Sequence, residues 1–156
     1  MPVFFWFAPI DVVGSTRNCG GMTAVSLSSR LTRCPRFAQT ADDDLPLARF
    51  DTALVPLLSG AAGLSPYLKS LLVKEAAWLE EAVEAPEAAL AALLHGTQTL
   101  ETDTVSAGLR QGKRRVALLS AVADLGGAWS LEEVTGALTT YADAAAQAAL
   151  RVAVAA

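Results

Sequence analysis

Four basic residues at helical spacing form the group in this sequence best suited to bind a charged partner. They are Arg110, Lys113, Arg114 and Arg115. Guanidinium and ammonium groups one helical turn apart can hold a phosphate or an acidic protein surface. The same residues can instead form the polar face of a helix that pairs with the acidic middle of the chain. We favour the second interpretation and keep all four residues as candidate phosphate or partner contacts.

Residues that could catalyse a reaction are sparse. A metal-dependent site for phosphoryl chemistry needs paired carboxylates on a rigid element, often as Asp-x-Asp after a Gly-Ser turn. Asp42 and Asp44 have this spacing, but no strand pattern surrounds them and Gly14-Ser15 lies too far upstream. We interpret them as a solvated acidic turn. His95 is the single histidine, which excludes a multi-histidine metal site. We therefore predict no catalytic residue, no metal ligand and no cofactor in this chain.

Charge and hydropathy argue against two classes of partner. The net charge is -4 and the sequence pI is about 4.9, so the total charge does not favour a nucleic-acid backbone. No apolar run approaches the roughly 18 residues that a membrane span requires. Cys19 and Cys34 lie in the least patterned part of the chain, and we expect them to be reduced thiols. We predict a cytoplasmic protein that binds neither nucleic acid nor membrane.

The elements that position these residues are predicted to be helices. The apolar fraction is 53 %, mostly alanine and leucine, while aromatic residues make up 6 %, a mixture typical of helices packed on helices. We predict an all-α fold, a bundle of several antiparallel helices over residues 47–156, after a poorly ordered segment over residues 1–46. Met22 follows a Gly-Gly pair, and we hypothesise that it is the natural start, so that the residues before it are not native.

Local signals set the bounds of the first three predicted helices. The first carries the apolar stripe that includes Phe50 and ends at Ser59-Gly60. Ser65 caps the second, because a serine before Pro66 fits the start of a helix. Tyr67 is interpreted as a helix-packing residue. The third opens at Pro86, and its apolar stripe ends before Gly96.

The last two helices flank a glycine pair. Asp103 or Thr104 is predicted to cap the fourth, which stops at Gly126-Gly127. Ser130 and Glu133 fit a capping box that starts the fifth. Apolar positions on these helical stripes are predicted to be buried. They include Leu71, Leu118, Leu119, Val134 and Leu138.

Specific stretches of the chain carry a family resemblance. Gly63-Leu64-Ser65-Pro66-Tyr67-Leu68 precedes an acidic, leucine-rich segment. Later, Leu109-Arg110-Gln111-Gly112-Lys113-Arg114-Arg115 leads through an Ala-Asp-Leu-Gly-Gly turn to Trp129-Ser130-Leu131-Glu132-Glu133-Val134-Thr135. This order resembles glutamine synthetase adenylyltransferases, especially the alphaproteobacterial kind, over roughly Asp51 to Arg151. Gly112 departs from the pattern, since these proteins usually carry a better helix former there.

The resemblance implies a large enzyme with two opposing activities. One nucleotidyltransferase-like domain attaches AMP from ATP to a tyrosine of glutamine synthetase, and another removes it with phosphate, which controls nitrogen assimilation. ATP and magnesium are the implied cofactors of the full-length enzyme. Glutamine synthetase and a nitrogen-sensing PII signalling protein are the implied partners.

The resemblance also implies that the helices and the catalytic residues lie in different parts of the polypeptide. In such enzymes the helices precede a sheet-containing module whose Gly-Ser element and aspartates hold the triphosphate and magnesium. We expect that module beyond Ala156, so this chain is predicted to be non-catalytic by itself. The alternative is a free-standing helical interaction module that binds a partner through the face from Lys113 to Arg115.

Overall fold

The protein is a bundle of helices. The computed structural model describes residues 25–34 and 45–155. Two short 3₁₀ helices, Ser28–Arg30 and Leu47–Arg49, come before the main elements. The main elements are α1 (Val55–Leu64), α2 (Pro66–Ala82), α3 (Pro86–Gln98), α4 (Val105–Leu125) and α5 (Leu131–Ala155). Within these ranges no residue is in a strand, and the predicted all-α fold is confirmed.

The last two helices form an antiparallel pair joined by the predicted glycine turn. Gly127 adopts a φ of 67°, a left-handed conformation that glycine takes without strain. The predicted capping box is confirmed. The Ser130 amide donates to Glu133 Oε2 at 2.7 Å, and the Glu133 amide donates to Ser130 Oγ at 3.2 Å. The turn therefore reverses the chain within a few residues, and α5 packs back on α3 and α4.

The core lies where α1, α2 and α4 meet, and it is built almost entirely from aliphatic side chains. Its least exposed leucines are Leu27, Leu54, Leu57, Leu58, Leu79, Leu118 and Leu119. Of the residues predicted to be buried, Leu71, Leu118 and Leu119 are buried, and Val134 is half-buried against the core. The prediction for Leu138 was wrong, because 43 % of this residue is exposed.

The orientation of α5 explains the error at Leu138. The helix buries a stripe that consists of Ala137, Tyr141, Ala144, Ala148 and Val152. Three alanines in this stripe let the backbones of α3 and α4 approach closely. Leu138 lies on an adjacent stripe of the same helix, which is apolar in sequence but only partly covered by α4. Apolar spacing alone could not decide between the two stripes.

Two helices extend past the glycines that were predicted to end them. α1 continues through Gly60, which is buried, to Leu64, and α3 continues through Gly96 to Gln98. A glycine inside a helix costs roughly 0.5–1 kcal/mol relative to alanine, and packing of the flanking residues can offset this. In α3, the hydroxyl of the buried Thr97 donates to the Leu93 carbonyl at 2.9 Å, so this polar group is satisfied within the helix.

The helix starts follow the sequence signals unevenly. Ser65 caps α2 as predicted, and its Oγ accepts from the Leu68 amide at 3.3 Å. At α4 the predicted side-chain cap is absent, because the Thr104 hydroxyl instead donates to the Glu101 carbonyl at 3.2 Å. Tyr67 was predicted to pack between helices, yet it is 53 % exposed.

Residues 25–34 dock on the bundle. Leu27 is fully buried, and its amide donates to the Val83 carbonyl at 2.7 Å. The amides of Thr32 and Arg33 both donate to the Gly126 carbonyl, at 2.8 and 3.0 Å. Local sequence patterns did not predict this docking, because its partners lie far along the chain. Residues 1–24 and 35–44, with the hypothesis about the start codon and the acidic Asp-x-Asp turn, lie outside the described residues.

Candidate functional site

A buried carboxylate in α2 organises half of the predicted basic cluster. Glu75 is 5 % exposed and interrupts the helical backbone of α2, with φ -117° and ψ 17°. Its Oε1 accepts from Arg114 Nε at 2.7 Å, and its Oε2 accepts from Arg115 Nε at 3.0 Å. The carboxylate therefore joins α2 to α4 through both of its oxygen atoms.

The local environment of this cluster is that of a structural ion pair. The Arg115 guanidinium also lies over the ring of Trp78, 5.2 Å from its centroid, which is within cation–π range. A carboxylate this well buried needs hydrogen-bonded cations to offset the loss of water. Arg114 and Arg115 supply them, as expected if the basic residues pair with the acidic middle of the chain.

The other two members of the cluster point elsewhere. Arg110 and Lys113 are exposed, and neither forms an ion pair with any residue in the described part of the chain. The structure therefore divides the four predicted contacts into two arginines held by Glu75 and two free cations. Contact of any of the four with a phosphate or a partner stays a prediction.

Lys113 lies beside an apolar groove between α4 and α5. We call it the α4–α5 groove, a cavity of about 350 Å³. It is lined by Lys113, Val116, Ala117, Leu138, Tyr141, Ala142 and Ala145. Burial raises the pKa of the Tyr141 phenol, and its hydroxyl donates to the Leu109 carbonyl at 2.6 Å. Sequence patterns did not predict this groove, because its walls come from two helices with separate periodicities.

Tyr141 also accounts for the unusual Gly112. The phenol lies so close to α4 that a Cβ added at Gly112 would be 2.6 Å from the Tyr141 hydroxyl oxygen and 2.8 Å from Cε2. Glycine at this position is therefore a packing requirement of the α4–α5 contact. Glycine has a poor helix propensity, but it leaves room for the aromatic ring.

A second, smaller cavity of about 300 Å³ lies between α2, α3 and α4. Trp78, Thr97, Gln111 and Arg115 are among its lining residues. His95 is exposed in the last turn of α3, where a histidine lies at the negative end of the helix dipole. Among the described residues, no three histidine, cysteine, aspartate or glutamate side chains come together in a way that could hold a metal ion.

Comparison with known proteins places this chain in a family. A model of the glutamate-ammonia ligase adenylyltransferase family matches residues 55–156, which include all five α-helices. The chain belongs to this family. The match confirms the resemblance seen in the sequence. No solved structure matches the chain.

Individual relatives of the adenylyltransferase family are much longer than this chain. A bifunctional glutamine synthetase adenylyltransferase/adenylyl-removing enzyme from Caulobacter vibrioides is 34 % identical over 158 residues, covering 88 % of this chain and 16 % of the relative. The Bradyrhizobium diazoefficiens protein of the same name is 33 % identical over 149 residues, which cover 81 % of this chain and 15 % of that relative. The Rhodopseudomonas palustris protein of this name is 40 % identical over 100 residues, which cover 60 % of this chain and 10 % of that relative. The chain thus spans about a sixth or less of these curated relatives.

The docked segment over residues 25–34 falls inside the similarity to the Caulobacter protein. Because that match covers 88 % of the chain, it must extend well upstream of Val55, where the family model begins. Any stretch of that length includes residues 25–34.

None of the helices in the described part of the chain has both the length and the hydropathy of a membrane span.

Proposed function

We propose that this chain is the helical segment that precedes the catalytic module of an enzyme that attaches AMP to glutamine synthetase and removes it again. In this proposal the chain alone transfers no AMP. The family match over residues 55–156 carries the proposal. The relatives bear the names of both reactions, and the chain corresponds to a small part of each. Through such an enzyme, the helices would serve the control of nitrogen assimilation.

The composition of the helices supports the non-catalytic part of the proposal. Nucleotidyl transfer depends on metal ions that neutralise the triphosphate and that are held by carboxylates on a rigid element. From Asp51 to Ala156 the sequence contains no Asp-x-Asp. The buried Glu75 is committed to two arginines and so is not free to bind a metal.

Several finer properties belong to the same proposal. ATP and magnesium would be cofactors of the full-length enzyme and would bind outside these helices. Glutamine synthetase would be the protein substrate, as the names of the relatives indicate. A PII signalling protein would be the regulatory partner, and the enzyme would act in the cytoplasm.

An assay of AMP transfer tests the proposal directly. The purified chain, incubated with magnesium, glutamine synthetase and ATP labelled at the α-phosphate, is expected to leave glutamine synthetase unlabelled. A full-length relative serves as the positive control. Label above the level of a reaction without the chain, lost when Asp42 and Asp44 are both changed to asparagine, would show that the chain holds a transfer site.

A second candidate function is a helical module that acts only by binding a partner. The exposed Lys113 beside an apolar groove favours it, because such a surface suits a protein contact. The coding sequence downstream of codon 156 discriminates between the two. An open frame that continues into a Gly-Ser and Asp-x-Asp module would exclude a free-standing module, and a stop codon would favour it.

A further inference from the structure

The strongest unexplained feature of the molecule is a second apolar stripe on α5. It consists of Leu131, Leu138, Ala142, Ala145 and Ala149. At 3.6 residues per turn, these positions lie within a narrow band roughly 90° around the helix from the buried stripe. Leu131 is 72 % exposed and Leu138 is 43 % exposed. The helix therefore has one apolar face covered by α3 and α4 and another that the described residues leave open.

The open stripe borders the α4–α5 groove, and among the described residues that line it the charged one is Lys113. Leu138, Ala142 and Ala145 form one wall, and Val116 and Ala117 form the other. Lys113 lies on the α4 side, and Arg110 precedes it by one turn on the same side of the helix. Both cations are exposed and have no ion pair within the described ranges. The surface thus combines an apolar floor with a positive rim.

This combination specifies the chemistry of an occupant. Helices bind in grooves through apolar side chains at helical spacing, and charges at the rim select the partner. An isologous pairing of two copies through this groove would put two Lys113 side chains into one interface, and the described lining would supply no carboxylate to pair with them. The carboxylates of an acidic helix would instead form favourable ion pairs with the basic residues at the same rim.

We propose that the α4–α5 groove binds an amphipathic helix of a protein partner, with an apolar side chain inserted between Val116 and Leu138 and a carboxylate paired with Lys113. The interaction does not rest on the proposed enzymatic role. It uses Lys113 and Arg110 and leaves Arg114 and Arg115 on Glu75.

Two synthetic helical peptides test the proposal. They share leucines at positions i, i+4 and i+7 and differ only in carrying glutamate or lysine at the flanking positions. In fluorescence anisotropy at low salt, the glutamate peptide is expected to bind the chain at least about tenfold more tightly than the lysine peptide. Lys113→Glu is expected to reverse this preference, whereas Lys74→Glu, the same change at an exposed lysine on α2, should preserve it.

A second pair of variants tests the groove itself. Leu138→Glu is expected to abolish binding of the glutamate peptide. Leu150→Glu, at a leucine 65 % exposed on another side of α5, should bind like the wild type. Ala142→Trp fills the groove without changing charge and should also prevent binding. Thermal unfolding followed by circular dichroism verifies that each variant is folded.

Three results would overturn the proposal. Equal affinity for the two peptides would show that Lys113 does not select a charge. Binding that survives both Leu138→Glu and Ala142→Trp would place the peptide elsewhere. Dimerisation in light scattering that Leu138→Glu abolishes would identify a second copy as the occupant of the groove.

Discussion

At the scale of single residues, Glu75 shows how a charge can be kept inside a helical bundle. Its carboxylate is held by two guanidinium groups from the next helix but one, and one of these groups also lies over Trp78. We expect Glu75→Ala to lower the free energy of unfolding by about 1–3 kcal/mol, because two partly exposed guanidinium groups lose their charged hydrogen-bond acceptor. Urea denaturation measures this loss.

The matched control for Glu75 is Glu81, which is exposed on the same helix. Glu81→Ala is expected to change the free energy of unfolding by no more than about 0.5 kcal/mol. If both variants unfolded at the same urea concentration, the cluster around Glu75 would contribute nothing to stability.

At Gly112 we predict a change in stability opposite in sign to the change expected from helix propensity. Alanine is favoured over glycine inside a helix by about 1 kcal/mol, so Gly112→Ala would stabilise an isolated helix. In this bundle we expect it to destabilise, because the new methyl group would overlap the Tyr141 phenol. Thermal unfolding of a double-mutant cycle with Tyr141→Ala checks the cause. The penalty of Gly112→Ala should disappear once the ring is removed, and a penalty that persisted would point to a different clash.

At the scale of elements, Glu87 in the first turn of α3 connects three parts of the chain. Its Oε1 accepts from Arg30 Nη2 at 2.7 Å and from Trp129 Nε1 at 2.9 Å. Burial alone would raise the pKa of Glu87, but the hydrogen bonds from Trp129 and Arg30 outweigh it, so the pKa is lowered from the ordinary 4.5. The segment around Arg30, the start of α3 and the turn before α5 thus share one carboxylate.

The lowered pKa of Glu87 predicts the direction of a pH effect. A carboxylate whose pKa is lower in the folded state stabilises the fold above pH 4.5, and this contribution is lost as the pH falls through the folded-state pKa. We expect the difference in melting temperature between the wild type and Glu87→Gln to shrink as the pH drops below 4.5. A difference that stays constant from pH 7 to pH 3 would contradict the assignment.

The helices themselves were largely predictable from the sequence, and their contacts were not. Capping signals at Ser65 and Ser130 are local, and both function as predicted. The face that α5 buries depends on which neighbours approach it, and the helix is apolar over much of its circumference. The division of the basic cluster likewise depends on Glu75, which lies 39 and 40 residues before its two arginines.

At the scale of the whole molecule, the docked segment over residues 25–34 is part of the core. Leu27 is fully buried in the same cluster as Leu79 and Leu119. We expect Leu27→Ala to cost about 2–5 kcal/mol of unfolding free energy, as for other buried leucines. Chemical denaturation measures it, with Val25→Ala, at a residue 52 % exposed in the same segment, as the control. Equal stability of the two variants would show that the segment is not integral to the fold.

The hydrogen bonds between this segment and the glycine turn set an order of events during synthesis. Thr32 Oγ1 donates to the carbonyl of Gly127, 95 residues further on. At roughly 5–20 residues per second, the ribosome needs about 5–20 s to make the intervening chain. Thr32 and Arg33 therefore spend that interval without their final hydrogen-bond partners at the turn. The first part of the described chain to be made is thus among the last to reach its native contacts.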